Sequence, residues 1–191
     1  MYGLVDFRST HAATTGGYFG LLALARQLVG EAFLFARRGY PAELKLHFGT
    51  PLQIPGPKGR ALASGSYVLG AVASAWTFKI ARLGVTVYSG DPLTGTNPLP
   101  ESKLDELLSQ TGGLTVTGVE VSTHPFGYSV SVSLSDGSGL TIFPTPECSA
   151  PAHRDAEPSP VPDWELFTPY NRYLRVGPGS EWAYLPSDAP E

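Results

Sequence analysis

Residues Gly39 to Ile54 of this chain align without a gap on Gly127 to Ile142, 88 positions later. Six of the sixteen positions are identical: Gly39/Gly127, Tyr40/Tyr128, Leu46/Leu134, Gly49/Gly137, Leu52/Leu140 and Ile54/Ile142. The same offset carries Trp76 onto Trp164, in a chain with only three tryptophans. An internal repeat changes every later inference, because each copy has to bury an apolar face that its neighbour can cover.

Within each copy the hydrophobic period shifts from helical to extended. Leu21, Leu24, Ala25 and Leu28 recur at helical spacing behind Thr14 and Thr15 and stop at Gly30; Leu104, Leu107 and Leu108 do so behind Ser102 and stop at Gly112 and Gly113. Leu44, Leu46 and Phe48, like Val130, Val132 and Leu134, alternate as one face of a strand, with Gly49 and Asp136-Gly137 as turn residues. A β-hairpin is therefore expected at the same place in each copy. Further strands are expected at Ala32 to Ala36, Tyr67 to Val72, around Trp76, Val85 to Tyr88, Val116 to Val121, around Trp164, Tyr173 to Val176 and Trp182 to Tyr184. The predicted fold is α+β: two tandem pseudo-symmetric units, residues 1–96 and 97–191, each a helix followed by antiparallel strands. Together they are expected to form a β-rich core or sandwich flanked by two helices. In the second unit residues 144–162 hold six prolines and cannot supply a central strand, since proline lacks the amide donor.

Charge is divided between the units. Residues 1–96 carry nine Lys and Arg against four Asp and Glu, net +5; residues 97–191 carry four against thirteen, net −9. Such fields either dock the halves on each other or steer a partner. A single cysteine, Cys148, forms no internal disulfide, and no apolar run reaches the roughly 18 residues of a membrane span. With no signal pattern at the N-terminus, a cytoplasmic location is expected.

The sequence lacks the common glycine-rich, zinc-protease and nucleophile-elbow motifs, and nothing in it calls for a metal or a cofactor. Gly56-Pro-Lys-Gly-Arg60 precedes no helix and reads as a solvated turn. Among His11, His47, His124 and His153, His153 alone has candidate ligands close by, Asp155 and Glu157, and His47 is expected on the outward phase of its strand. Overall acidity disfavours nucleic acid, although Arg37, Arg38, Lys45, Lys58, Arg60, Lys79 and Arg82 cluster in the first unit. Trp164, Phe167, Tyr170, Tyr173, Trp182 and Tyr184 crowd the second unit beside Asp163, Glu165 and Glu181. Aromatic anchors of this kind build protein-binding surfaces when exposed.

Leu114 to Val121 ahead of Leu134-Ser-Asp-Gly-Ser-Gly-Leu-Thr-Ile142 resembles small uncharacterised bacterial α+β domains, some of which look like immunity-type proteins encoded beside toxins. The resemblance covers the last 80 or so residues best, and it implies no activity and no catalytic residue. The order of elements is also similar to the N-terminal half of formamidopyrimidine-type DNA glycosylases. The chain lacks their Pro-Glu start, zinc finger and basic charge, so nothing is carried over. Two functions follow as expectations. One is a non-enzymatic protein that binds another protein, in the manner of an immunity or antitoxin partner, through Trp164, Glu165, Tyr170, Tyr173, Glu181 and Trp182. The alternative is an enzyme or small-molecule binder with a cleft between the units gathering His11, His47 or Arg60.

Overall fold

A computed structural model describes residues 17–38, 43–55, 61–89, 106, 112–145 and 161–187. It overturns the α+β expectation. Among the described residues the chain is one eleven-stranded antiparallel sheet with one helix of eleven residues, not a sandwich flanked by two helices. That helix, α1 (Tyr18–Ala25), continues as a 3-10 turn over Arg26–Leu28 and buries Leu21, Leu24, Ala25 and Leu28, as their spacing demands. The second expected helix, around Leu104 to Leu108, lies outside the described residues apart from Glu106, and so do the Thr14/Thr15 cap and most of 144–162. No helix among the described residues is long and apolar enough to cross a membrane.

The strands are β1 (Ala32–Arg38), β2 (Leu44–Pro55), β3 (Ala61–Ala71), β4 (Ser74–Ile80), β5 (Val85–Tyr88), β6 (Leu114–His124), β7 (Gly127–Leu134), β8 (Gly139–Pro144), β9 (Trp164–Thr168), β10 (Arg172–Val176) and β11 (Trp182–Pro186). Their order is β11-β10-β9-β3-β2-β1-β6-β7-β8-β4-β5. The meander β1-β2-β3 is thus extended by β9, β10 and β11 from the far end of the chain. The meander β6-β7-β8 is extended by β4 and β5 from the first part. We call these the first and second half-sheets. They join through a short β1–β6 pairing, Ala32 opposite Thr115 and Phe33 opposite Leu114.

One expected hairpin is absent. Gly49 (φ +82°) does not turn the chain; it begins a bulge, and β2 runs on from Leu44 to Pro55 with its register against β3 shifting between Phe48 and Pro51. A lone positive-φ glycine without a second turn residue satisfies a bulge as well as a turn. In the second unit Asp136 accepts from the Ser138 amide, 2.8 Å away, and Gly137 takes φ +83°, so the β7–β8 hairpin forms as expected.

Ladder registers resolve the two faces. On the inner face of the first half-sheet, Ala36, Leu46, Leu69, Leu166, Leu174 and Tyr184 stand in one row across six strands. In the second half-sheet Val119, Val132, Leu140, Phe78 and Val87 form the corresponding row across five. All but Ala36 are buried, and the inner faces share one core. The Phe33 and Phe78 rings lie 6.2 Å apart, and Trp164 Nε1 donates to Tyr128 O across the two halves at 2.8 Å. Helix α1 also links the halves: Tyr18 Oη donates to Val121 O at 2.6 Å, and Gly20 lies against the Trp182 ring, where a Cβ would press on it.

Candidate functional site: an apolar outer face

Outward-facing positions separate the half-sheets. In the second, Glu120, Ser131, Thr141, Thr77 and Tyr88 form an outer row that is polar apart from the ring of Tyr88, with Ser131 Oγ and Thr141 Oγ1 3.1 Å apart. This is the alternation expected of an antiparallel sheet wet on one side. In the first half-sheet the outer row is Phe35, His47, Val68, Phe167, Tyr173 and Leu185, each directly opposite the next. Phe167 is 38% exposed, its ring stacked on Tyr173 with centroids 5.3 Å apart. One step along the strands, Arg37, Lys45, Gly70, Glu165, Arg175 and Ala183 make a parallel row containing three cations and one carboxylate.

One end of the apolar row is covered by the chain itself. Beyond the bulge, β2 and β3 continue as a two-stranded ribbon past the ends of β1 and β9. Arg37 is level with Lys45, and Ala63 with Gln53. Eight residues of straight strand would separate those levels by about 26 Å. Yet Arg37 Nη2 donates to Ala63 O at 3.0 Å, so the ribbon curls back over the outer face. A Cβ on Gly65 would collide with the backbone of Phe48, so the bend requires glycine there. Leu52 and Ile54 remain exposed on the ribbon.

The curl explains why the expectation of an exposed His47 fails. His47 does occupy the outward phase, but it is only 5% exposed. Its ring stacks on Phe35 at 4.3 Å, Nδ1 accepts from the Gly65 amide at 3.2 Å, and Ser64 Oγ lies 3.3 Å from the same nitrogen. Burial, then the positive charges of Arg37 and Lys45, push the imidazole down to about 4. His47 is neutral at pH 7. Because Nδ1 accepts, the ring proton sits on Nε2, which is buried without a hydrogen-bond partner among the described residues.

The residues expected at a binding site do not converge. Trp164 and Trp182 point into the core. Glu165 and Tyr173 stand on the outer face, beside Phe167. Tyr170, exposed on the β9–β10 turn, interacts instead with Tyr67, whose hydroxyl is pushed up to about 12 first by burial and then by Tyr170. Glu181 is exposed beside the Gly177 loop, its carbonyl accepting from the Gly177 amide at 2.9 Å. His11 and Arg60 lie outside the described residues, and His47 faces away from the shared core. Phe35, Val68 and Leu185 were not among the expected site residues, and Arg37 and Lys45 were singled out only as part of a basic cluster. The signal was present in the phase: once Trp164 and Leu166 point inward, Glu165 and Phe167 must point outward.

A second unusual group lies where the halves meet. Asp163, 1% exposed, has Oδ2 against the backbone of Gly127 and Gly177, and a Cβ on Gly177 would collide with its carboxyl. Gly127 of β7 in turn bridges to Gly179. Burial alone pushes the Asp163 carboxyl up to about 7.

Compared with protein-family models, curated proteins and solved structures, the chain gives no match, so the role of the outer face is argued from its own residues.

Proposed function

We propose that the protein is a non-catalytic binding protein whose partner is another protein, held on the outer face of the first half-sheet. The observation that carries this reading is the row Phe35, Val68, Phe167, Tyr173 and Leu185, which is apolar where the second half-sheet is largely polar. The core is closed on the opposite face and the ribbon packs on the Phe35 and His47 end of the row, so packing does not account for Phe167, Tyr173 and Leu185. Phe167 is exposed and Phe35, Val68, Tyr173 and Leu185 are half-buried, and contiguous apolar surface of this kind marks interaction sites. The part of the row that the ribbon leaves open, Val68, Phe167, Tyr173 and Leu185, crosses four strands at about 4.8 Å spacing, about 14 Å, the length of roughly four extended residues. A protein segment laid across the strands therefore fits better than a small molecule. The cations of the neighbouring row favour a segment of acidic character.

The face draws on both parts of the chain, so the aromatic second unit alone does not supply it. Binding in the manner of an immunity or antitoxin partner is one form this takes, and a chain with a single cysteine suits a cytoplasmic setting. Selection of displayed random peptides on the intact chain tests the binding face. Peptides that bind the wild type and lose about 100-fold in affinity to Phe167→Ser/Tyr173→Ser support it. Peptides indifferent to that change overturn it.

A further inference from the structure

We infer that His47 Nε2–H, together with the Arg37 guanidinium and the Lys45 ammonium, receives a carboxylate carried by the bound protein segment. This rests on the reading of the outer face as a protein-binding surface, and it names the chemistry that anchors the partner. The His47 ring is fixed from three directions: by the Phe35 stack, by the Gly65 amide and by Ser64 Oγ. Those contacts use one face and one nitrogen. The remaining N–H is a buried donor with no acceptor among the described residues, a state that costs about 1–3 kcal/mol in a folded protein.

The neighbours decide what kind of acceptor completes it. Arg37 spends one N–H on Ala63 O and rests its guanidinium over Phe35, 5.2 Å from the ring centre. A guanidinium has five N–H groups, so further donors remain. Lys45 lies 3.0 Å from Glu43 Oε1 and is 42% exposed; an ammonium has three donors and the Glu43 carboxylate takes one. Two cations flanking a neutral N–H donor favour an anion with several acceptor oxygens, and they repel a cation or a metal ion. A carboxylate meets these requirements, and an aspartate or glutamate places one on a protein segment. Nε2 is buried, so the carboxylate enters as the Arg37 and Lys45 side chains re-aim onto it, while the Gly65 and Ser64 contacts to Nδ1 stay in place and keep the proton on Nε2.

The test uses the peptides selected on the intact chain. The expected result is an Asp or Glu in the selected sequences whose replacement by Gln weakens binding to the wild type by about tenfold, but weakens binding to Lys45→Gln by much less. Arg37→Gln is expected to act the same way; since it also frees Ala63 O, Lys45→Gln is the cleaner variant. The 15N resonance of His47 Nε2 should move with the acidic peptide and stay in place with its Gln counterpart. Peptides that depend on Phe167 and Tyr173 yet tolerate Gln at every position would overturn the carboxylate site and leave the binding face standing. Peptides that ignore Phe167→Ser/Tyr173→Ser, or failure to select any on folded protein, would overturn both.

Discussion

The two half-sheets solve the same folding problem and differ on the side that folding does not use. Both present a row of buried aliphatic and aromatic residues inward, Leu46 to Tyr184 in one and Val119 to Val87 in the other, and both contribute a deeply buried tryptophan, Trp164 and Trp76. Outward, one shows Glu120, Ser131, Thr141 and Thr77 where the other shows Phe35, Val68, Phe167 and Leu185. An inward apolar row is explained by packing and says nothing of function. The outward one leaves a Phe partly in water, forgoing part of the roughly 1.5–3 kcal/mol that burial would contribute. The binding role proposed for one half rests on that difference rather than on any single residue.

The largest expected effect tests the part the halves share. Trp76→Ala and Trp164→Ala should each destabilise the protein by about 3–5 kcal/mol, and each should lower amide-exchange protection in both half-sheets, because the core is common. Loss of protection confined to the mutated half would break the comparison at its base.

Next in size is the seam between them. Asp163 is raised from its ordinary 3.8 to about 7 in the folded chain, so between those values the folded state holds a proton that the unfolded state has released. Its contribution is therefore greatest below pH 3.8, declines as pH rises by up to about 1.4 kcal/mol per unit, and is gone above about 7. Asp163→Asn should gain stability relative to wild type over that interval in denaturant titrations and keep a constant advantage above it. A pH-independent difference would show that the carboxyl is not held neutral.

The outer faces themselves come third. Phe167→Ala and Tyr173→Ala should each weaken a bound peptide by about 2 kcal/mol, while Thr77→Ala and Thr141→Ala leave its affinity unchanged. The smallest effect sharpens the contrast: Ser131→Ala should alter stability by less than about 0.5 kcal/mol, since among the described residues its hydroxyl pairs with the neighbouring, half-buried Thr141.

Much of this architecture was legible in the sequence. β5 at Val85–Tyr88, β10 at Arg172–Val176 and β11 at Trp182–Pro186 follow the alternating runs, and Leu21, Leu24, Ala25 and Leu28 mark the one described helix. Fold class was misread because two short helical patterns were given the weight of flanking layers, when the strands of one sheet cover each other. Gly49 was misread because a positive-φ glycine serves a bulge or a turn, and only strand pairing distinguishes them. His47 had the right phase and the wrong environment, since a ribbon that curls back by long-range contacts leaves no local pattern. The row Phe35 to Leu185 could not be seen from any one segment. It exists only because β9, from the far end of the chain, pairs with β3.

The most direct test of the binding assignment is chemical-shift mapping of the intact chain with a selected peptide. The account predicts that shifts gather at Phe35, His47, Val68, Phe167, Tyr173 and Leu185 and leave Glu120, Ser131, Thr141 and Thr77 unmoved. Shifts centred on the polar outer row, or spread over both half-sheets alike, would contradict it.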